Sequence, residues 1–295
     1  MDLKKPRLGS IASPIRRIIG TMSAKIGILI IACVLGFLFS AVLFGHHSPQ
    51  AIVGPADAPP SLKYPFGTDY LGHDLLSQVA FGAFPTLFIG LVAALGGTSI
   101  GFLAGLYGGY YQRLQPVISG AIDVVLSFPS IVLLILIASL FLASNNLIAI
   151  SLVLILWATV ARGVRAQVAS LKNLPYVDAA RTSGMSEWRV VNRVIAPAVA
   201  PIAVSYFVLT VSIGIVIATS VEWIGLGNVT EVSWGSILYY AQTYAFIRGD
   251  WWWVVEPGLM LALVAIGFAL IGFAIEEELN PRLRTYGDKF TSENI

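Results

Sequence analysis

One polar stretch interrupts the second half of a very apolar chain: Pro175-Tyr-Val-Asp-Ala-Ala-Arg-Thr-Ser-Gly-Met-Ser-Glu-Trp-Arg-Val-Val-Asn-Arg-Val-Ile-Ala-Pro197. Pro175 favours the first turn of a helix, where its missing N–H would be unpaired in any case. Gly184 is typical of the left-handed position just after a helix, because glycine has no Cβ to clash there. Ser186 is a good N-cap, Glu187 suits the following first turn, and Pro197 should end or kink the second helix. The stretch predicts two short helices joined by a tight turn.

Composition assigns the rest of the chain to a membrane. Of its 295 residues 57% are hydrophobic and only 12% are charged, whereas soluble domains carry about 25% charged residues. The net charge of +2 gives no indication of a nucleic-acid partner, and we expect none. The single cysteine, Cys33, lies in an apolar run, so an intrachain disulfide is impossible.

Six apolar runs approach or exceed the roughly 20 residues that a spanning helix needs. They cover 26–45, 84–107, 117–143, 147–169, 198–221 and 257–275. The first run could instead be a signal-peptide core, but such cores are shorter, about 7–15 residues. We therefore expect an all-α integral membrane protein with six transmembrane helices. The other parts are an N-terminal segment 1–25, an outer polar segment 46–83, a five-helix core 84–275 and a tail 276–295.

The basic residues predict which side is which. In this arrangement 16 of the 18 lysines and arginines fall on the side of the termini, and only Lys63 and Arg248 fall on the other. Cytoplasmic loops carry the excess of Lys and Arg in membrane proteins. Both termini and the loop 170–197 are therefore expected in the cytoplasm. The protein is expected to be a multi-pass protein of the cell (inner or plasma) membrane, in contact with lipid.

Motifs for chemistry within the chain itself are missing from the sequence. There is no G-x-x-x-x-G-K-[ST] phosphate loop and no H-E-x-x-H. The three histidines, His46, His47 and His73, fall in the outer polar segment, where solvated histidines are the ordinary case. We expect no catalytic residue, no metal site and no nucleotide bound to this chain. A membrane enzyme is the weakest of the functional alternatives.

Charges next to the membrane core need partners, because a buried unpaired charge is costly there. Asp123 lies near the inner end of the third span, and Arg162 and Arg165 lie near the inner end of the fourth. We predict that Asp123 pairs with one of the two arginines in a structural ion pair. An Asp123→Asn protein that folds but does not transport would contradict that structural role.

Two patterns are candidates for the solute path. Ser205, Ser212 and Thr219 recur every seven residues and share a helix face, which either bonds neighbouring helices or lines a wet path. Pro129 predicts a kink in the third span and a freed carbonyl. The residues of this kink, Ser127, Phe128 and Pro129, are candidates for the wall of a central cavity.

Small residues and a sequon complete the candidate features. Gly97, Gly101 and Gly105 lie four apart, a spacing that lets another helix come close, either within the chain or in a dimer. Asn228 begins the sequence Asn-Val-Thr on the predicted outer side and is a candidate glycosylation site.

The polar stretch resembles a known docking segment. Asp178-Ala-Ala, three further residues, Gly184 and then Val194-Ile-Ala-Pro197 resemble the EAA loop of ABC importer permeases, which docks on the ATPase subunit. The usual Glu is Asp178 here, and the usual Leu before the final proline is Ala196. The resemblance implies docking by Asp178, Ala179, Ala180, Ser183, Gly184, Met185, Ser186 and Glu187.

Further stretches extend the resemblance over roughly residues 26–286. They resemble the second permease subunit of the dipeptide/oligopeptide ABC importers, with His73 where that family usually has Arg. The matching stretches are Phe66-Gly-Thr-Asp-Tyr-Leu-Gly-His-Asp74, Gly108-Gly-Tyr-Tyr111, Asp123-Val-Val-Leu-Ser-Phe-Pro129, Ile224-Gly-Leu-Gly227, Ser233-Trp-Gly235 and Leu279-Asn-Pro-Arg282.

The resemblance implies a type I ABC importer permease fold and a set of partners. These are a second homologous permease subunit, two ABC ATPase subunits that bind ATP and Mg, and an extracytoplasmic solute-binding protein. The expected function is a permease that passes a solute, a peptide or an oligosaccharide, to the cytoplasm. The alternative is a self-sufficient secondary carrier or channel. A carrier should show inverted repeats and broken helices with ion ligands at mid-membrane, and neither is clear in the sequence.

Overall fold

The computed structural model describes residues 18–44, 48–141, 144–228 and 230–279. Several predicted features lie outside these ranges: most of the segments 1–25 and 276–295, the histidines His46 and His47, and the end of the stretch Leu279-Asn-Pro-Arg282. The helices are α1 Met22–Phe44, α2 Leu75–Tyr110, α3 Gln115–Leu126, α4 Ser130–Leu140, α5 Asn145–Leu171, α6 Pro175–Thr182, α7 Glu187–Val190, α8 Ala196–Val221, α9 Trp234–Arg248 and α10 Trp252–Leu279. Two π-helical segments, Val191–Ile195 and Glu222–Leu226, adjoin α8.

The described ranges confirm a helical membrane protein. Five helices are long and apolar enough to cross a membrane, and a sixth crossing results if α3 and α4 form one span bent by 78°. The bend lies at Pro129, which occupies the N-cap of α4, so the predicted kink in the third span is confirmed. The only β-pairings in the described residues are isolated bridges in the outer segment.

The second span begins earlier than predicted. The apolar run predicts a start at residue 84, whereas α2 begins at Leu75. Asp74 caps this helix, because its Oδ2 accepts the backbone N–H of Ser77 at 3.0 Å. Ser77 and Gln78 are polar but buried, so the first turns of α2 lack the hydrophobic signature of a span.

The prediction that Pro197 ends or kinks the second short helix is wrong. The chain remains helical from Glu187 to Val221, and the wider π turn Val191–Ile195 comes immediately before this proline. A proline ring clashes with the carbonyl four residues earlier in a regular α-helix, here that of Arg193. The π turn includes that residue, and Pro197 then occupies the first turn of α8.

The glycine spacing of α2 is used within the chain. A Cβ built on Gly101 would lie 2.6 Å from the carbonyl oxygen of Trp157, and one on Gly105 would lie 2.7 Å from that of Ala161. Both neighbours belong to α5, which makes the most extensive contact with α2 of any helix pair. The intrachain alternative accounts for these glycines, since the face that they form is already occupied.

Residues 48–74, the part of the predicted outer segment that precedes α2 in the described chain, form a compact loop built on its own polar groups. The Thr68 hydroxyl donates to the carbonyl of Pro55 at 2.7 Å and accepts the N–H of Ala58 at 2.8 Å. Gly67 and Gly72 both have positive φ, at 74° and 87°, where L side chains are strained. The stretch from Phe66 to Asp74 therefore contains two obligatory turns, a loop-closing threonine and the cap of α2.

Candidate functional site

The polar stretch folds as its residue types predict. α6 begins at Pro175 and ends at Thr182, and Gly184 follows with φ of 81°. The N–H of Gly184 donates to the carbonyl of Arg181 at 3.0 Å, and that of Met185 donates to the carbonyl of Ala180 at 3.2 Å. This pair of bonds is a Schellman motif, which satisfies the last carbonyls of a helix. Ser186 takes the N-cap position of α7, although its side chain makes no capping bond.

The turn presents a small-residue surface on a fixed base. Val177 and Val190 are fully buried and anchor the two helices. Ala180 and Met185 are half-buried against the same apolar cluster. The other docking candidates, Asp178, Ala179, Ser183, Gly184, Ser186 and Glu187, are exposed. No other described atom lies within 4 Å of a Cβ built on Gly184, so the surface is open to a partner.

Aromatic side chains from the end of α2 hold this turn, and the sequence did not single them out for that role. The Tyr110 hydroxyl contacts the Glu187 carboxylate and accepts a hydrogen bond from Arg181 Nη2 at 3.1 Å. Trp188 stacks on Tyr107 with ring centroids 5.8 Å apart. The bond to Tyr110 raises the pKa of Arg181 above its usual value, against the opposing effect of burial, so Arg181 stays charged. The stretch Gly108-Gly-Tyr-Tyr111, which resembles the permease family, was the sequence feature that could have pointed to these aromatic residues.

The charged pair lies where the sequence suggests. Arg162 Nη2 donates to Asp123 Oδ1 at 2.9 Å, and the two side chains are 53% and 67% exposed. An exposed pair of this kind contributes about 0–1 kcal/mol. Arg165 does not join it, and donates instead to the hydroxyl of Ser119.

The hydroxyl stripe of α8 bonds to a neighbouring helix. Ser205 Oγ donates to the carbonyl of Gly272 at 2.9 Å, and Ser212 Oγ donates to that of Ala265 at 2.8 Å, both on α10. Thr219 is buried too, and its hydroxyl has no hydrogen-bond partner among the described residues. The two serines thus bond α8 to α10, which is one of the two roles that their spacing allows, and in this conformation they do not face an open path.

The exposed candidates for a path lie elsewhere. Ser127, Phe128 and Pro129 are exposed at the break between α3 and α4. A groove between α2 and α8, which the sequence did not single out, also carries hydroxyls and aromatic rings; it is lined by Leu95, Thr98, Ser99, Phe102, Ala203 and Phe207. The Thr98 hydroxyl is buried there without a partner in the described part of the chain.

A buried carboxyl side chain organises the C-terminal end of α8, and sequence reasoning missed it. Glu222 is 3% exposed, and its Oε2 accepts the Ser233 hydroxyl at 2.7 Å. A Cβ built on Gly235 would lie 2.3 Å from that oxygen, and one on Gly227 would lie 2.6 Å from Glu222 Cγ. Any larger residue at Gly227 or Gly235 would therefore overlap the Glu222 side chain, so both positions need glycine. Beside them, the sequon asparagine Asn228 accepts hydrogen bonds from its own Thr230.

Comparison with known proteins agrees with this architecture. Residues 97–285 match the family model described as "Binding-protein-dependent transport system inner membrane component". The chain is 30% identical to a putative peptide transport system permease protein of Brucella suis, with 92% of both chains covered. It is 33% identical to the probable D,D-dipeptide transport system permease protein DdpC of Escherichia coli, with 86% of each covered. It is 29% identical to the dipeptide transport system permease protein DppC of Bacillus subtilis, with 96% of this chain and 89% of that protein covered.

A solved structure shares the fold. The MetNI methionine ABC transporter, in an inward-facing conformation, matches with a TM-score of 0.56 over 68% of this chain and 94% of that one, at 18% identity. This neighbour supports the type I ABC importer permease fold, while the family match and the closer relatives support the function. The protein is a multi-pass inner-membrane permease subunit of an ABC importer, and it belongs to the family of binding-protein-dependent transport system inner membrane components.

Proposed function

We propose that this permease moves peptides into the cytoplasm as one of two homologous permease subunits. Two ABC ATPase subunits supply the ATP and Mg chemistry, and an extracytoplasmic binding protein delivers the solute. The names of its relatives support peptides over the oligosaccharide alternative, since they refer to dipeptides, D,D-dipeptides, oligopeptides and glutathione.

The observation that carries the proposal is the exposed turn between α6 and α7. Its small residues protrude from a base that Val177 and Val190 bury completely, so a partner can approach the backbone without displacing side chains. The eight residues from Asp178 to Glu187 named above form the proposed ATPase-docking surface. The Tyr110 hydroxyl at the end of α2 contacts both Arg181 and Glu187, and these contacts couple the docking surface to α2.

The proposed orientation puts the docking loop 170–197 and both termini in the cytoplasm. The segment 46–83 faces outward, with its last nine residues forming the start of α2. The excess of Lys and Arg on the terminal side supports this orientation. It also places the buried Glu222 cluster on the side where a binding protein arrives.

The proposed path lies between this chain and the second permease subunit. The broken pair α3 and α4 and the groove between α2 and α8 leave apolar and hydroxyl groups uncovered in the single chain; Phe128 is 56% exposed. A second permease placed against these faces would cover them and leave Ser127, Phe128 and Pro129 beside the solute. Asp123 and Arg162 keep a structural role, as does the Ser205 and Ser212 pairing with α10.

The test uses the four-subunit complex in proteoliposomes with its binding protein and a labelled dipeptide. Ser183→Trp adds bulk to the docking surface at an ordinary backbone conformation, with φ of −75°. We expect ATPase binding and ATP-driven uptake to fall at least tenfold. Ser48→Trp, at an exposed serine outside the docking loop, is the matched control and should keep ATPase binding.

Two results would contradict the proposal. Full uptake by the Ser183→Trp complex would exclude this docking surface. Uptake by the chain alone, without ATP and without partners, would instead support the secondary carrier or channel.

A further inference from the structure

A cavity of about 150 Å³ lies on the outer side of the protein, away from the docking turn and the proposed path. Three parts of the chain enclose it: the outer segment with the start of α2, the start of α9, and the beginning of α10. The lining residues used below are Asp69, His73, Gln78, Glu231, Tyr70 and Trp253. Clefts or cavities with a few convergent polar groups are the usual form of small-molecule sites.

One wall of the cavity carries a fixed imidazole, that of His73. Asp69 is 3% exposed, and its Oδ2 accepts hydrogen bonds from His73 Nδ1 at 2.7 Å and Gln78 Nε2 at 2.9 Å. Its Oδ1 accepts the backbone N–H groups of Leu71 and His73. All acceptor positions of Asp69 are thus used, and it positions His73 rather than binding a ligand. In the tautomer that donates Nδ1–H to Asp69, Nε2 is a hydrogen-bond acceptor.

A donor lies in the same wall. Trp253 is 1% exposed, and its indole N–H has no hydrogen-bond partner among the described residues. Buried polar groups are nearly always paired, so an unpaired one needs an explanation. A ligand carbonyl in the cavity would accept this N–H.

The mouth of the cavity suits a positive charge. Glu231 lines the cavity and is exposed, and its carboxylate accepts a hydrogen bond from the Asn145 side-chain amide. Tyr70 forms part of an aromatic wall, with its ring stacked 4.2 Å from Tyr244 and 5.8 Å from Trp253. Burial raises the pKa of Tyr70, so its phenol remains neutral. Carboxylates and aromatic faces together attract ammonium groups.

We propose that this cavity binds the amino end of a peptide, with the α-ammonium between Glu231 and His73 and the first carbonyl on the Trp253 N–H. The inference rests on the proposed peptide transport and adds an outer recognition site for one end of the solute. The volume limits the bound portion to roughly one amino-acid residue, so the rest of the peptide would extend past Glu231 into solvent.

The test is calorimetric titration of the full chain in detergent with alanyl-alanine and with N-acetyl-alanyl-alanine. Acetylation removes the positive charge and leaves both carbonyls. We expect saturable binding of the free dipeptide and at least tenfold weaker binding of the acetylated one. Glu231→Gln and His73→Gln should each weaken the free dipeptide at least tenfold. Glu277→Gln, the same change at an exposed residue of the opposite end of the protein, is the matched control and should leave binding unchanged.

Equal binding of the two dipeptides, no saturable binding, or full affinity of the Glu231→Gln protein would overturn the inference. Glu231 is exposed, so its substitution is expected to leave the fold intact, and a melting curve of the variant checks this. Failure of the cavity is distinguishable from failure of peptide transport. If the complex takes up the dipeptide with ATP but the chain binds the free and acetylated dipeptides equally, only the proposed cavity site is contradicted. If the chain prefers the free dipeptide but the complex does not take it up, only the proposed peptide transport is contradicted.

Discussion

Two neighbouring glycines of α2 allow a quantitative test of the helix packing. A Cβ built on Gly101 would lie 2.6 Å from the carbonyl oxygen of Trp157 and 2.6 Å from Val160 Cβ. A Cβ built on Gly97, one turn earlier on the same face, has Trp157 N as its nearest neighbour at 3.5 Å, an ordinary contact. The perturbation is Gly101→Ala, with Gly97→Ala as its matched control.

Two effects set the expected magnitude. Replacing glycine by alanine inside a helix gains about 1 kcal/mol of stability at either position. Overpacking costs about 1–3 kcal/mol when neighbours cannot give way, and at Gly101 those neighbours are a backbone carbonyl and a β-branched side chain. We therefore expect Gly97→Ala to stabilise by about 1 kcal/mol. Gly101→Ala should be less stable than that control by about 1–3 kcal/mol.

The assay is equilibrium unfolding of the purified chain in mixed micelles with increasing sodium dodecyl sulfate, followed by tryptophan fluorescence. The midpoint and slope give the free energy of unfolding of each variant. Equal stabilities for the two variants would refute the argument, because the added methyl group overlaps α5 atoms only at Gly101, whereas at Gly97 it makes an ordinary contact with α5. A Gly101→Ala protein more stable than the Gly97→Ala protein would refute it as well.

Three further substitutions test other interactions. Asp123→Asn should change the melting temperature little and preserve uptake, because its exposed ion pair contributes at most about 1 kcal/mol; lost uptake with normal melting would give Asp123 a functional role. Ser212→Ala should cost about 1 kcal/mol in the unfolding assay, since it removes a bond to α10; an unchanged midpoint would contradict this. Burial, and then the nearby carboxyl of Asp57, raises the pKa of Asp250, with Arg248 opposing. The folded state then binds the Asp250 proton more tightly than the unfolded state does. The contribution of Asp250 to the free energy of unfolding is therefore most favourable below the ordinary pKa of 3.8, and it is lost as pH rises through the raised pKa. Asp250→Asn should flatten this part of the pH dependence of melting, and an unchanged profile would exclude the assignment.

Local rules sufficed for the docking turn. Pro175 and Gly184 act through backbone preferences that do not depend on the rest of the fold, and the structure has both in the expected conformations. Pro129 could be located for the same reason. Apolar runs likewise identified the membrane helices, because a bilayer requires length and hydrophobicity rather than a particular partner.

Features that depend on tertiary contacts were not predictable in this way. α9 between Trp234 and Arg248 is too polar and too short to resemble a span, and it is positioned by the bond from Trp234 Nε1 to the carbonyl of Val79. Glu222 is charged in sequence, and only the folded chain brings two glycines and a serine against it. The serines of α8 share a face by their spacing, but spacing alone does not say whether that face meets a helix or a path.

The unbroken helical course from Glu187 to Val221 has a mechanical consequence. At about 1.5 Å per residue its 35 residues form a rod about 50 Å long, which begins beside the docking turn and ends at the buried Glu222. In the proposed orientation, a push by an ATPase on the docking-turn end would be carried along this rod to the opposite face of the membrane. The π turn at Val191–Ile195 and Pro201 inside α8 are points where this rod can bend, so their stiffness would set how much of the movement is transmitted.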